Sequence, residues 1–327
     1  MAITAPDDAA LIADGRPRVE AALLGAVSTD DPFLTEVASH LIKAGGKRVR
    51  PLFAVASAGC AGDAAATASD DVVLGGVAVE LVHLGSLYHD DVIDEAVTRR
   101  TVESVNARWG NLTAILAGDF LLAKASEIAA SLGTEVAGLL AATIGRLCEG
   151  EVGELRAAYD LARTEASYLA SIRGKTASLF ATACRIGAIV GGLDRPAIDA
   201  LTAFGDGYGM AFQIVDDVLD LTATAEQLGK PAGHDLVEGV YTLPVLRALT
   251  ADDAAAVELK GLLGKPLEDD ELTAALALVR DGSAVPAAVA EAEAFADRAI
   301  AALAPLGPSP AADWLAGAAR SLVAPFS

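Results

Sequence analysis

The sequence predicts an all-α protein, a bundle of roughly ten or more helices packed on one another. Three observations carry that prediction. Apolar residues recur at three- and four-residue spacing along most of the chain. Strand signals are nearly absent. Of the 327 residues 53% are hydrophobic and only 5% aromatic, with alanine dominating long stretches, which is helix-forming composition.

The helical spacing runs through 33–59, 72–96, 112–131, 135–158, 166–190, 196–221, 242–249 and 270–281. Glycine, proline and small polar residues punctuate it at "AGDAAATASD" (61–70), "LGT" (132–134), "GGLDRP" (191–196), "LGKPAGHD" (228–235) and "APLGPSP" (304–310). No shift of composition marks a second domain, so residues 1–327 read as one. Its motif-bearing core spans 40–245, and residues 250–327, rich in Ala and Glu, read as surface helices closing the bundle.

Lysine and arginine total 24 against 45 aspartates and glutamates, a net charge of −21. No basic face is left over to neutralise a nucleic acid backbone. An anionic substrate is still allowed, provided the few cations cluster in one pocket. Cys60, Cys148 and Cys184 are widely spaced and odd in number, and read as buried free thiols of a reducing cytoplasm. The start "MAITAPDDAALIADGRPR" lacks the pattern of a signal peptide. No stretch convinces as a membrane span; the best candidate, "TASLFATACRIGAIVGGL", is broken by Arg185.

One stretch resists this plain reading. "LVHLGSLYHDDVIDEAVTRR" (81–100) sets Asp90, Asp91 and Asp94 on an otherwise apolar helix, where unpaired charge is costly. The pattern Asp-Asp-x-x-Asp returns in "VDDVLD" (215–220) as Asp216, Asp217 and Asp220. A lone acidic cluster is most simply a solvated face. Two on long apolar helices ask for a shared cation. Spacing i to i+4 pairs Asp90 with Asp94 and Asp216 with Asp220, each on one helix face. All-oxygen ligation without a nearby cysteine favours a hard cation such as Mg²⁺, with a bound diphosphate completing the charge balance.

The cations fall where such a ligand needs them. "KAGGKRVRP" (43–51) supplies Lys47, Arg48 and Arg50 after a Gly-Gly turn, and an arginine fork suits phosphate oxygens. His83 lies two helical turns before Asp90, on the same face. Arg99 and Arg100 follow the first acidic motif. "RGKTASL" (173–179) adds Lys175 and Thr176, and "LGKPAGHDL" adds Lys230. Singly, each has a bland explanation as a surface or core residue.

Taken in order, "GGKRVRP", "HLGSLYHDDVIDEAVTRR", "GKTASL", "FQIVDDVLD" and "GKPAGHDLVEGVYTLP" resemble the motifs of the trans-isoprenyl (polyprenyl) diphosphate synthases. The resemblance implies an isoprenoid-synthase helical bundle around a central cavity, usually a homodimer, with isopentenyl and allylic diphosphates as substrates. It implies Mg²⁺ held by Asp90, Asp94 and, from the opposite wall, Asp216, with Asp91, Asp217 and Asp220 completing the catalytic acidic motifs. Arg99, Lys175 and Lys230 would hold the allylic diphosphate. Lys47, Arg50, His83 and Arg100 would bind isopentenyl diphosphate, and Thr176 and Gln213 would sit near the allylic cation.

Two departures stand out. Many members have glycine where this chain has Thr101, and commonly lysine where it has Val240, so a modest loss of allylic diphosphate affinity is expected. In short-chain members a bulky side chain four or five positions before the first aspartate stops the growing chain. Here Gly85 and Ser86 stand there, which implies a long product, of the kind that becomes a quinone side chain. The rivals are a geranylgeranyl diphosphate synthase closed by another helix and a non-catalytic subunit of a heteromeric synthase. Two intact aspartate motifs weigh against the second. A terpene cyclase has no need of the GGKRVRP segment, and a helical scaffold has no need of either motif.

Overall fold

The computed structural model describes residues 10–62, 69–223 and 232–326, with side chains from residue 15 onward. Seventeen helices are present among these residues. The first five are α1 (Ala10–Ala26), α2 (Pro32–Ala38), α3 (His40–Lys43), α4 (Val49–Gly59) and α5 (Asp70–Ile93). A hairpin, β1 (Thr98–Arg99) and β2 (Val102–Glu103), leads to α6 (Val105–Trp109), α7 (Asn111–Ser131), α8 (Thr134–Leu155) and α9 (Glu165–Ile172). A π-helical turn, Arg173–Ala177, joins α9 to α10 (Ser178–Val190). Then come α11 (Arg195–Thr222), α12 (His234–Val237), α13 (Leu243–Thr250), α14 (Ala254–Leu262), α15 (Asp269–Arg280), α16 (Ala284–Ala302) and α17 (Pro310–Val323).

Most starts are written locally. Asp31, Ser69, Ser104, Thr164, Asp194, Asp253 and Ser309 each stand just before a helix and accept a hydrogen bond from an otherwise unmet backbone N–H. The expected run 33–59 is broken into three helices, first at Ser39 and then by the turn at Gly45, whose φ of 89° an L side chain resists. The small hairpin is absent from the sequence reading. Its tip residues Arg100 and Thr101 have φ of 53° and 67°, the left-handed pair that matches strand twist and explains a preference for glycine at 101.

Buried side chains form two main cores. One gathers Phe53, Phe180, Phe204, Tyr208 and Trp314 where α4, α10, α11 and α17 meet. The other packs Val77, Leu81, Leu84 and Tyr88 of α5 against Ala114, Ala117 and Leu121 of α7. α5 is long and apolar enough to cross a membrane, but most of it is buried in this bundle. The C-terminal region departs from expectation. α16 is no surface helix: Ala288, Ala292, Ala296 and Ala299 are buried, an alanine stripe that lets α16 lie close along α11. Cys184 is buried and Cys60 half-buried, but Cys148 is exposed, because it falls on the outward face of α8.

Candidate active site

The Gly45–Gly46 turn brings Lys47, Arg50, His83, Arg100 and Glu80 together around a pocket of about 350 Å³, closed on one side by Phe180 and Phe212. A Cβ at Gly46 would lie 2.8 Å from Nη1 of both Arg48 and Arg100, so the loop passes close against the two guanidiniums. Arg50 stacks 4.5 Å above the Phe180 ring, and its buried Nε has no hydrogen-bond partner. Burial pulls its pKa down to about 10, still cationic at neutral pH, with Glu80 opposing the shift and Arg100 adding to it. Burial, with Arg50 and Arg100, pushes His83 well below its usual value, so it is neutral. Arg100 reaches from the hairpin to the carbonyls of Leu41 (3.1 Å) and Gly45. Burial lowers the Lys47 ammonium and Asp216 opposes it, which places the second aspartate motif within electrostatic reach of this pocket.

Arg48 plays another part than its neighbours. Its Nε and Nη2 bond both oxygens of Glu20 (2.7 and 3.2 Å), its Nη1 bonds Glu80 (3.0 Å), and Nη2 also meets the Ile42 carbonyl (2.9 Å). It ties α1 to α5 and is structural.

Beside this pocket stands an acidic wall. Asp91 is fully buried, accepts from Arg99 Nε at 2.7 Å, and its Oδ2 has no hydrogen-bond partner. Asp90 is pushed up to about 7, first by burial and then by Glu151 and Asp94, with Lys175 and Arg99 opposing. Partial desolvation and Glu238 raise Asp94 as well. Lys175 projects from the π-helical turn and pairs with Glu151 and Glu154 at 2.7 Å each, and those carboxylates outweigh burial and raise it. The turn sits where Gly174 meets Gly150 of α8: a Cβ at Gly150 would lie 2.6 Å from Lys175 N.

Across from it, Thr176 donates to Gln213 Oε1 at 2.7 Å, and Gln213 Nε2 donates to Asp217 Oδ1 at 2.8 Å. Asp216 is exposed, whereas Asp217 and Asp220 are buried and turned inward. Asp220 accepts from the Asp235 N–H at 3.2 Å. Val240 is half-buried, its N–H donating to the Asp235 carbonyl at 2.8 Å. Lys230 lies outside the described residues.

The all-oxygen wall suits a divalent cation. Its carboxylates crowd one another upward in pKa, which a hard dication reverses. Among the described residues no three acidic or histidine groups converge into a finished metal site.

Five ordered motifs on one helical fold invite a wider comparison. A sequence model of the polyprenyl synthetases matches residues 31–279. The chain belongs to this family. Nonaprenyl diphosphate synthase of Mycobacterium tuberculosis is 41% identical over 275 residues, 83% of this chain and 81% of that one. The fold of a decaprenyl diphosphate synthase from Rhodobacter capsulatus superposes with a TM-score of 0.89 at 36% identity, covering 97% of both chains. A geranylgeranyl pyrophosphate synthase from Corynebacterium glutamicum, complexed with calcium and isoprenyl diphosphate, gives a TM-score of 0.85 at 39% identity over 98% of both. The isoprenoid-synthase bundle is thus the fold of this polyprenyl synthetase.

Several residues of the site were not singled out from sequence: Glu80, Glu151, Glu154 and Glu238. Glu80 carried a signal, a lone charge inside "VAVELVHL", and Glu151 and Glu154 share a helix face at i, i+3. Gly85 faces α7, where a Cβ would meet the Gly118 carbonyl at 3.1 Å and Leu122 at 3.2 Å. Its smallness serves close helix packing. Ser86, one turn before Asp90, shares Asp90's stripe, its hydroxyl turned back onto the His83 carbonyl at 2.9 Å.

Proposed function

We propose that this prenyltransferase condenses isopentenyl diphosphate with an allylic diphosphate, head to tail and trans, and extends the product to a long-chain polyprenyl diphosphate, a quinone side-chain precursor. The observation that carries this reading is a pocket lined by Lys47, Arg50 and Arg100 and set beside two aspartate motifs. Arg50, with an unmet buried N–H, fits a diphosphate, and Lys47, Arg100 and neutral His83 complete the isopentenyl site. Mg²⁺ is the metal proposed for Asp90, Asp94 and Asp216, where it would neutralise the allylic diphosphate.

The chain's own residues do the rest. Breaking the allylic C–O bond places negative charge on the leaving diphosphate, which Lys175 and Arg99 stabilise, with Lys230 proposed beside them. Thr176 and Gln213 aim dipoles at the cation left behind. The isopentenyl double bond attacks it, and a proton lost to the departing diphosphate restores the alkene. Phe180 and Phe212 keep water from the cation. A homodimer is proposed as well: Leu112 is 72% exposed, and Ile115 and Leu116 extend the same apolar side of α7.

The deciding experiment incubates the protein with Mg²⁺, labelled isopentenyl diphosphate and, separately, dimethylallyl, geranyl, farnesyl or geranylgeranyl diphosphate, and sizes the dephosphorylated products. A ladder ending well beyond the C20 alcohol is expected. A stop at C20 would keep the chemistry and install the geranylgeranyl reading instead. Ser86→Phe is expected to shorten the ladder, and unchanged products would place the tunnel floor elsewhere. Because Lys175 is shared between two carboxylates, Glu154→Gln is expected to lower the KM of the allylic diphosphate about two- to fivefold, about 0.4–1 kcal/mol of released competition. A raised KM would mean that Glu154 orients Lys175 for the substrate.

A further inference from the structure

A buried polar chain lies behind the second aspartate motif. Tyr168, 1% exposed, donates its hydroxyl to Asp217 Oδ2 at 2.5 Å. The other oxygen, Oδ1, takes the N–H of Gln213, whose carbonyl oxygen takes the hydroxyl of Thr176. Arg163, 6% exposed, lies 5.6 Å from the centre of the Tyr168 ring and fixes the Tyr241 carbonyl through Nη1 at 3.1 Å.

The direction of these bonds matters more than their number. Both Asp217 oxygens accept, one from Tyr168 and one from Gln213, so the nitrogen end of Gln213 turns to Asp217 and its oxygen toward Thr176. Thr176 then spends its single proton on Gln213, and what it has left is lone pairs. Without a donor on Oδ2, a buried Asp217 has half its acceptor capacity unmet and no fixed orientation. We infer that Tyr168 is a positioning residue: its hydroxyl anchors Asp217, so that Gln213 and Thr176 present oxygen, and not hydrogen, to the cationic intermediate. The inference rests on the prenyl-transfer reading above, and goes beyond it in naming what sets the polarity of the cation-facing groups.

The test is Tyr168→Phe, which keeps the ring and removes one oxygen. Steady-state kinetics with each substrate in turn is one reading. The other is solvent exchange of the Gln213 carboxamide protons in protein ¹⁵N-labelled at glutamine. That spectrum is simple, because the chain has two glutamines, Gln213 and Gln227, separable with Gln227→Asn. Expected are a kcat lower by about tenfold or more, both KM values within about twofold, and faster Gln213 exchange. Unchanged exchange, or faster exchange with an unchanged kcat, would overturn the inference. A wild-type protein that makes no product would overturn the prenyl-transfer reading itself. If Tyr168→Phe does not fold, Asp217→Asn takes its place and is judged by Gln213 exchange alone.

Discussion

Asp90→Asn is expected to abolish product formation and yet to stabilise the metal-free protein above neutral pH. The two effects share one cause. The Asp90 carboxyl is carried from its ordinary value of 3.8 to about 7 by burial and by the acids around it. Between those values the folded chain holds a proton that the unfolded chain has lost. Stability therefore falls as pH rises from about 4 to 7, and the full penalty persists above 7. At roughly 1.4 kcal/mol per pH unit, the ionised form costs on the order of 4 kcal/mol. Asparagine removes the charge and the slope together. The same charge is what a dication would bind, so Mg²⁺ should raise Tm at pH 8 in the wild type and much less in the variant. Activity should fall about 10³-fold or more, the scale of several kcal/mol of lost charge stabilisation. Thermal unfolding at pH 6, 7 and 8, with and without millimolar Mg²⁺, checks every part. Equal stabilisation of both proteins by the metal would remove Asp90 from its site.

The second large effect is structural. Glu80→Ala is expected to cost about 3–5 kcal/mol, read as a lowered urea midpoint with an unchanged slope. The side chains of Arg48 and Glu80 are 0% and 3% exposed, so deleting the glutamate leaves a buried guanidinium with part of its counter-charge gone. Glu20 still holds two of its nitrogens, which argues for the lower end of that range. Glu80 also tempers Arg50 and Arg100. Its loss lets these cations repel one another, so the KM for isopentenyl diphosphate should change along with stability. A cost under about 1 kcal/mol would mean that water or a moved side chain replaces Glu80.

The bundle was legible because its signals are local. Apolar spacing marked the long helices, and capping residues or glycines mark most of their ends. The two aspartate motifs were legible for a different reason, since charge on an apolar helix is expensive and demands a ligand, whereas Arg50, Lys175 and Thr176 took their expected roles only from the family resemblance. What sequence could not supply were the partners. Arg48 looked like its neighbours Lys47 and Arg50, but its glutamates sit 28 and 32 residues away, and only folding brings them in. Gly85 was small for a reason spacing cannot show, since the face it presents depends on where α7 runs. The alanine-rich tail looked peripheral because alanine is at home on surfaces and in tight helix seams alike.

The π-helical turn at Arg173–Ala177 has a consequence for how this chain can vary in length. Such a turn holds one residue more than an α-helix needs. Removing any one of its five residues would let α9 run straight into α10 with every backbone hydrogen bond intact. The deletion would rotate what lies on one side relative to the other by about 100°. The pairing of Lys175 with Glu151 and Glu154 and of Thr176 with Gln213 would not both survive that rotation. Within this segment the number of residues itself fixes where Lys175 and Thr176 stand.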